Sequence, residues 1–394
     1  MRILQVHNAY REPGGEDLSV ANEAVLLRAA GHVVRSHIVH NPEHAGATLG
    51  KLALAPRNRF AADTVVNAAR EFSADVVHVH NTWFSISPAV FESLDQAGFP
   101  TVFTLRNYRV ACVQSLLFRE GRVCTDCVGG SALPGIHHRC YRDSFTLSAV
   151  AAATSSLARR RGTWNRANRL IAMSESQRHI LVEAGLSDDQ MDTVPNAVLD
   201  PGLRTTSPAR SNRILFVGRL APEKGVNLLL DAWQRLPAEH GFELALIGDG
   251  PMRQNLRSRL PVGVELIGWQ DPARVREEML SGRALLFPTR GLEPFGRGVI
   301  EAFAAGLPVL AAARGGAGEA VAKVGPDWCI GSDSAEDWAA AISRLTDDAL
   351  VEDAGRRGRR IYEKHYSSAI VTAALERSYA RAINDPGIRA GRLP

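Results

Sequence analysis

The sequence has 394 residues, of which 45% are hydrophobic and 22% are charged. A chain of this length exceeds the roughly 250 to 300 residues at which a single hydrophobic core stops growing, so at least two domains are expected. The formal net charge of +4 is far below that of a typical nucleic-acid-binding protein, so no nucleic-acid partner is expected.

Short apolar runs recur along the chain, and each is followed by a polar or glycine-rich turn and a helical pattern. This alternation predicts the strand–helix units of a parallel sheet. The predicted strands are residues 2–7, 32–39, 75–80, 101–105 and 169–173 in the first half and 213–217, 243–247, 264–267, 284–287 and 308–312 in the second. The sequence therefore predicts an α/β fold with two doubly wound, Rossmann-like parallel sheets that face each other across a cleft.

A polar segment with prolines and a glycine, residues 200–211, separates the two halves and has the composition of a linker. We place an N-terminal domain at residues 1–200 and a C-terminal domain at residues 212–365. The apolar start at residues 1–6 is too short for a signal peptide, and no later stretch reaches transmembrane length. A cytoplasmic protein is expected.

The most specific motif, residues 293–309, runs from a strand end through a loop into a helix. Gly296 and Gly298 keep the helix start free of bulk, so a phosphate can approach the exposed N–H groups there. Glu293 precedes the helix and Glu301 lies about two turns along it, where two carboxylates could bind hydroxyls of one extended ligand. The alternative is that one glutamate caps the helix, the other lies on its surface, and the glycines only turn the chain.

A second motif follows the strand predicted at residues 213–217. Gly218 ends the strand, and Arg219 and Lys224 follow, five residues apart. Fixed cations at such a strand end stabilise the charge that develops on a diphosphate leaving group. The alternative is that both are solvated loop cations.

Four cysteines, Cys112, Cys124, Cys127 and Cys140, lie in an insertion at residues 110–142 of the N-terminal domain. A Cys-x2-Cys pair flanked by two more cysteines could supply the four thiolates of one structural zinc site. Four reduced thiols or a labile disulfide is the alternative. No cofactor is expected for catalysis.

Three consecutive arginines, residues 159–161, end an alanine-rich helix predicted at residues 144–158. They form either a solvated helix end or a patch that meets anionic lipid headgroups. The second alternative would place the protein at the inner face of the membrane through a peripheral contact.

Together, the 293–309 motif, residues 217–225 and an N-terminal loop at residues 13–16 resemble the family-4 retaining glycosyltransferases, also called glycosyl transferases group 1. The GT-B fold of that family has an acceptor-facing N-terminal sheet and a donor-binding C-terminal sheet. The resemblance implies metal-independent transfer of a hexosyl group, with retention, from a nucleotide sugar to a hydroxyl acceptor. UDP-sugars are the favoured donors and GDP-sugars the next. The acceptor would be a saccharide, a lipid-linked or a small molecule, in glycan or natural-product biosynthesis.

The resemblance also implies roles for individual residues. Glu293 would contact the donor sugar, Glu301 would hold the ribose, and Arg219 with Lys224 would bind the diphosphate. The other residues implied to surround the donor are Gly14, Gly15, Gly218, Gly296, Arg297 and Gly298. A C-terminal helix at residues 366–394 would cross back to the N-terminal domain.

One position departs from the family pattern. The family usually carries a histidine after the strand at residues 101–105, where this sequence has Arg106 and Asn107. Arg106 cannot act as a general base at neutral pH, so it either binds an anionic sugar or phosphate or points elsewhere. His80 is the candidate acceptor-side catalytic residue; for it and for His78, on the same strand face, the alternative is a satisfied near-core histidine.

Two other classes of function stay open. A nucleotide-sugar epimerase shares the architecture, and it would rearrange its donor without an acceptor. A non-catalytic, zinc-bearing binding module on an inactive scaffold is conceivable because the usual histidine is missing.

Overall fold

The computed structural model describes residues 1–10, 14–42, 50 and 52–385. Residue 13 of the predicted N-terminal loop and residues 386–394 of the predicted C-terminal helix lie outside the described residues. The chain divides into two compact units. The first comprises Met1–Leu117, Cys124–Ala197 and the residues from Ala369 onward, and the second comprises Phe118–Val123 and Val198–Ser368.

Strands and helices alternate in both units. The strands are β1 (Arg2–Ala9), β2 (Val33–His40), β3 (Val76–Asn81), β4 (Thr101–Thr104), β5 (Phe118–Arg119), β6 (Arg122–Val123), β7 (Arg169–Ala172), β8 (Met191–Thr193), β9 (Arg213–Val217), β10 (Glu243–Ile247), β11 (Val264–Gly268), β12 (Ala284–Phe287), β13 (Val309–Ala312) and β14 (Cys329–Ile330). The helices with described bounds are α1 (Gly15–Ala29), α2 (Arg59–Phe72), α3 (Ala89–Gln96), α4 (Leu133–His137), α5 (Phe145–Arg160), α6 (Glu175–Glu183), α7 (Val226–Trp233), α8 (Arg253–Arg257), α9 (Pro272–Ser281), α10 (Arg297–Ala304), α11 (Gly315–Ala322), α12 (Ala335–Ser343), α13 (Asp348–His365) and α14 (Ser368–Asn384).

The first unit contains a six-stranded sheet in the order β2-β1-β3-β4-β7-β8, with every neighbouring pair parallel. β3 is buried over its whole length, as expected of a central strand that is covered on both faces. Helix α14 packs on this unit, where Ser378 and Arg381 bind Asp192 at 2.8 and 2.6 Å. The C-terminal helix thus completes the first unit.

The second unit contains another six-stranded parallel sheet, in the order β11-β10-β9-β12-β13-β14. The predicted fold class, two parallel-sheet α/β domains, is confirmed. The segment predicted as a linker packs on this unit: Arg204 donates to the carbonyl oxygen of Gly282 at 2.8 Å, and Asp200 pairs with Arg359 at 2.7 Å. The N-terminal part of the first unit ends at Ala197, a few residues before the predicted boundary at residue 200.

The insertion at residues 110–142 is shared between the units. Its hairpin, β5 and β6, groups with the second unit, and the rest belongs to the first. There Val113 and Cys127 pack in an apolar cluster with Trp83 and Ala151 of α5.

Helix α5 ends in the three arginines. Arg159 donates to the carbonyl oxygen of Val110 at 3.4 Å, and Arg161 pairs with Glu92 at 3.1 Å. Arg160 is exposed. Two of the three side chains therefore bind protein atoms. Over the described ranges, the helices are all too short or too polar to span a bilayer.

Candidate active site

Two loops are tied together at the carboxyl edge of the second sheet. The carbonyl oxygen of Glu223, in the loop after β9, accepts hydrogen bonds from Arg290 N at 2.8 Å and Thr289 Oγ1 at 3.1 Å, both in the loop after β12. Gly225 has a φ of +74°, and a Cβ there would lie 1.9 Å from the carbonyl oxygen of Pro288. Only glycine allows this close approach, which fixes the position of the preceding residue, Lys224.

Lys224 and Glu293 form an ion pair between these two loops, in which Lys224 Nζ donates to Glu293 Oε1. Their side chains are 24% and 18% exposed. The carbonyl oxygen of Glu293 also accepts a hydrogen bond from Gly316 N at 2.8 Å. Two predicted site residues, 69 positions apart in sequence, are therefore brought into direct contact at the sheet edge.

Arg219 is exposed and directly follows Gly218, whose N–H donates to the carbonyl oxygen of Ile247 at 3.0 Å. Among the described residues, no carboxylate lies within ion-pair distance of its guanidinium. Because the charge of Lys224 is offset by Glu293, Arg219 supplies the uncompensated positive charge at this edge.

Helix α10 begins next to the Lys224–Glu293 pair. Its N-cap is Gly296, with a φ of +79°, and a glycine has no side chain to cap the N–H groups of the first turn. A Cβ at Gly296 would lie 2.6 Å from Ala317 Cβ, whereas one at Gly298 would make only ordinary contacts. Arg297 and Glu301 pair at 2.8 Å along the helix. The sequence predicted both as donor-binding residues but not that they pair.

In the first unit, a cluster of ionisable side chains is buried beneath the carboxyl edge of the sheet. Glu23 of α1 contacts Arg106 Nη2 at 2.9 Å and His78 Nδ1 at 3.0 Å. Burial alone would raise the pKa of Glu23, but the contacts with His78 and Arg106 hold it below its usual value. Arg106 also binds Asn196 and, at 3.1 Å, His80 Nδ1. The guanidinium neutralises a buried carboxylate.

For Arg106 and His80, this placement favours the second of the two alternatives that the sequence leaves open. Arg106, only 5% exposed, points into the core and is not placed to bind an anionic sugar. His80 is 2% exposed, and burial, with the charges of His78 and Arg106, holds its pKa well below the usual range. Its imidazole is a near-core group rather than an acceptor-side base. It borders a cavity of about 40 Å³, enough for an internal water.

Sequence reasoning missed the part played by Glu23. The ligand atoms of Glu23, His78 and His80 lie within 4.8 Å of one another, a donor set that could hold a metal ion. Here the guanidinium of Arg106 is the cation that contacts two of the three groups, Glu23 and His80. The available signal was a glutamate on the face of α1 that also carries the buried residues Val20 and Leu27.

Asn107 lies nearer the surface than Arg106, and its Nδ2 donates to Glu16 Oε1 at 3.0 Å and to the Tyr10 hydroxyl at 3.4 Å. Gly14 is the N-cap of α1, and its N–H donates to Asp17 Oδ2 at 2.8 Å. That N–H is therefore engaged within the protein. Gly15 is the first residue of the helix. Both glycines remain predicted to lie beside the donor.

The four cysteines are free thiols, with Cys127 buried and Cys112, Cys124 and Cys140 partly buried. Burial raises the pKa of Cys127, and the proximity of Cys112 and Cys124 adds to this rise. No three of the four sulfur atoms lie within 4.8 Å of one another. Zinc coordination would require their side chains to rotate, and the zinc site remains a prediction.

Comparison with known proteins assigns the family. Residues 14–197 match the family described as "Glycosyl transferase 4-like domain", and residues 204–363 match "Glycosyl transferases group 1". A 2-deoxystreptamine glucosyltransferase of Streptomyces kanamyceticus is 28% identical over 50% of this chain and 57% of its own length. An exopolysaccharide phosphotransferase of Streptomyces coelicolor is 29% identical over 51% of this chain and 22% of its own length.

Among solved structures, Anabaena HepE in complex with UDP superposes with a TM-score of 0.67 and 18% identity, over 96% of this chain and all of that one. This similarity establishes the fold. The matched region spans 57% of the length of the glucosyltransferase and 22% of the length of the phosphotransferase. The two matches together show that the chain combines a glycosyl transferase 4-like domain at residues 14–197 with a glycosyl transferases group 1 domain at residues 204–363.

Proposed function

We propose that this protein is a metal-independent, retaining glycosyltransferase that moves a hexosyl group from a nucleotide sugar to a hydroxyl of a saccharide, lipid-linked or small-molecule acceptor. The observation that carries the proposal is the arrangement at the edge of the second sheet. There Arg219 and the Lys224–Glu293 pair lie in two loops joined by hydrogen bonds to the carbonyl oxygen of Glu223. Helix α10 begins next to them with a glycine as its N-cap.

The charge at this edge suits a diphosphate. Arg219 is unpaired among the described residues, and the start of α10 adds about half a positive charge. Lys224 and Glu293 cancel each other until an anion arrives, when Lys224 Nζ can donate to it with one of its three protons. The edge thus directs fixed positive charge and N–H donors to the place where the leaving group becomes more negative.

Glu293 would contact the sugar, which is the end of the donor opposite the nucleotide. A carboxylate accepts hydrogen bonds from sugar hydroxyls, and Thr289 Oγ1, at 3.5 Å from Glu293 Oε1, and Lys224 restrict its position. The acceptor hydroxyl would attack the anomeric carbon on the face of the leaving group and pass its proton to the departing phosphate. UDP is the favoured nucleotide, consistent with its presence in the Anabaena HepE complex.

The test is a thermal-shift panel of UDP-, GDP-, ADP- and dTDP-sugars. A ligand that binds only the folded protein raises the unfolding midpoint. We expect one nucleotide sugar to raise it for the wild type but not for Lys224→Met. Lys323→Met is the matched control, because Lys323 pairs with Glu319 at 3.7 Å on the neighbouring helix α11.

Two outcomes would contradict the proposal: no shift with any nucleotide sugar, or an unchanged shift with Lys224→Met. Product analysis without an acceptor then addresses the chemistry. A rearranged donor would identify an epimerase, whereas free nucleotide and sugar, or an intact donor, agree with transfer.

A further inference from the structure

A cavity of about 550 Å³ lies in the second unit, within the range of roughly 300–1,000 Å³ that is typical of ligand-binding pockets. Its walls are the linker segment 202–208, the last residues of α10 together with Gly306, and one face of α13. Helix α10 begins beside the Lys224–Glu293 pair and has 8 residues, so its far end lies about 12 Å away along the helix axis. The cavity is therefore separate from the proposed donor site.

The charged side chains that line the cavity are mostly cationic. Among the described residues they are four arginines and one glutamate: Arg204, Arg356, Arg359, Arg360 and Glu352. Arg359 is neutralised by two carboxylates at 2.7 and 2.8 Å, and Arg356 lies 3.7 and 3.8 Å from two others. Arg204 and Arg360 have no carboxylate within ion-pair distance in the part of the chain that the structure describes. These two cations are thus available to an anion.

Arg204 is held in place by uncharged partners. It donates to the carbonyl oxygens of Thr206 and Gly282, each at 2.8 Å, and to that of Gly306 at 3.3 Å. Burial lowers the pKa of Arg204 to about 10, so the guanidinium is still charged at neutral pH. A partly buried charge without a counter-charge is costly, and an anion in the cavity would offset this cost.

Capping of α10 is the alternative role for two of these arginines. Arg204 donates to Gly306, just beyond the helix, and Arg359 donates to the carbonyl oxygen of Ala304, its last residue. Arg360 takes no part in capping: it is exposed, and it forms no hydrogen bond or ion pair with any described residue. Capping therefore explains the position of Arg359, but not why two unpaired cations line one cavity.

The groups around the cavity are suited to a phosphate. Guanidinium groups bind phosphate oxygens through paired N–H donors, and hydroxyl groups add single donors. Thr205 and Thr206 are exposed in the linker segment and line the cavity with Arg204. A phosphate monoester carries up to two negative charges and three terminal oxygens, whereas a carboxylate has one charge and two oxygens. A phosphate therefore matches the two cations better than a carboxylate does.

We propose that this cavity binds a phosphate group, held by Arg204 from the linker segment and by Arg360 from α13. The ligand is a phosphate monoester, which is either a soluble compound or the headgroup of an anionic lipid. Both sources present the same chemistry, and experiment separates them. The inference does not depend on the proposed transferase function, because the residues that line the cavity differ from those predicted to bind the donor.

The test starts from the double variant Arg219→Ala with Lys224→Met, in which the proposed donor site has lost two cations. Binding of labelled inorganic phosphate is measured by equilibrium dialysis for this protein, and with Arg360→Met or Arg276→Met added. Arg276 is an exposed arginine of α9 in the same unit and serves as the matched control. Arg360→Met should weaken phosphate binding at least about tenfold, because a charged hydrogen bond is lost, and it should leave the unfolding temperature unchanged. Arg276→Met should retain the binding.

Sedimentation with vesicles of phosphatidic acid, compared with phosphatidylcholine, separates the two sources. Retention on phosphatidic acid that Arg360→Met abolishes would identify the lipid headgroup, whereas binding of free phosphate alone would identify a soluble ester. Arg204→Met should reproduce the loss seen with Arg360→Met. Three results would overturn the inference: no binding of phosphate or of phosphatidic acid by the starting variant, equal affinities with and without Arg360→Met, or an equal loss in Arg276→Met.

Discussion

The two units use the same kinds of charged side chain in opposite ways. At the edge of the second sheet, Arg219 is exposed and the Lys224–Glu293 pair is partly exposed. In the first unit, the pair between Arg106 and Glu23 is almost completely buried. The comparison shows that a cation after a parallel strand stays accessible to a ligand only where no buried carboxylate takes up its charge.

The largest expected effect is on the buried pair. Arg106→Met should lower the free energy of unfolding by about 3–5 kcal/mol, because it removes the guanidinium that offsets the buried charge of Glu23. Urea denaturation measures the change. The double variant Arg106→Met with Glu23→Gln should recover a large part of it. Unchanged stability in Arg106→Met, with weakened acceptor binding, would mean that Arg106 serves a ligand and would break the comparison.

At the edge of the second sheet, a substitution should lower the activity more than the stability. Glu293→Gln should lower kcat about 100-fold, since a charged contact to the reacting sugar is lost. Its free energy of unfolding should change by no more than about 1 kcal/mol, because the ion pair is partly exposed. The steady-state rate of nucleotide release measures kcat, and urea denaturation measures the free energy of unfolding. Glu319→Gln, on α11, is the control that should keep full activity.

Acid should weaken the first unit through the buried cluster. The folded-state pKa of His80 lies well below 6.5, so below that pH the unfolded chain gains a proton that the folded chain does not. Glu23, whose pKa is held below 4.5, adds a second loss of stability as the pH falls below that value. The free energy of unfolding should therefore decrease from pH 7 to pH 5.5.

The His80→Gln variant isolates the histidine contribution. Between pH 7 and pH 5.5, the free energy of unfolding of His80→Gln should fall less steeply than that of the wild type. The two slopes should differ by at most about 1.4 kcal/mol per pH unit. His179→Gln, an exposed control on α6, should follow the wild type. Equal slopes for the wild type and His80→Gln would contradict the buried, neutral state of this imidazole.

The smallest expected effect concerns the cysteines. If the predicted structural zinc is bound, metal analysis should find about one zinc per chain, and Cys127→Ser should abolish it. Chelation should then lower the unfolding midpoint by a few degrees. Cys329→Ser, in the second unit, is the control that should retain the metal. A purified chain without zinc would favour the four-thiol alternative.

The fold could be predicted from the sequence because its evidence is local. Apolar runs between turns placed β9 and β10 residue for residue. β8 and β14 have only three and two residues, too few to give a recognisable pattern. The hairpin of β5 and β6 was missed for the same reason.

The site could be predicted only in part, because pairing and burial depend on contacts distant in sequence. Motif spacing identified Lys224 and Glu293, but not that they form an ion pair across 69 residues. The partner of Arg106 is Glu23, 83 residues earlier, and no local pattern links the two. A motif therefore predicts which groups are present, whereas tertiary structure decides which of them a ligand can reach.

The central claim is that the edge of the second sheet binds a nucleotide diphosphate. Calorimetric titration of UDP into the wild type and into the double variant Arg219→Ala with Lys224→Met tests it most directly. We predict that the double variant binds UDP at least 100-fold more weakly while it unfolds at nearly the wild-type temperature. Equal affinities for UDP in the two proteins would contradict the claim.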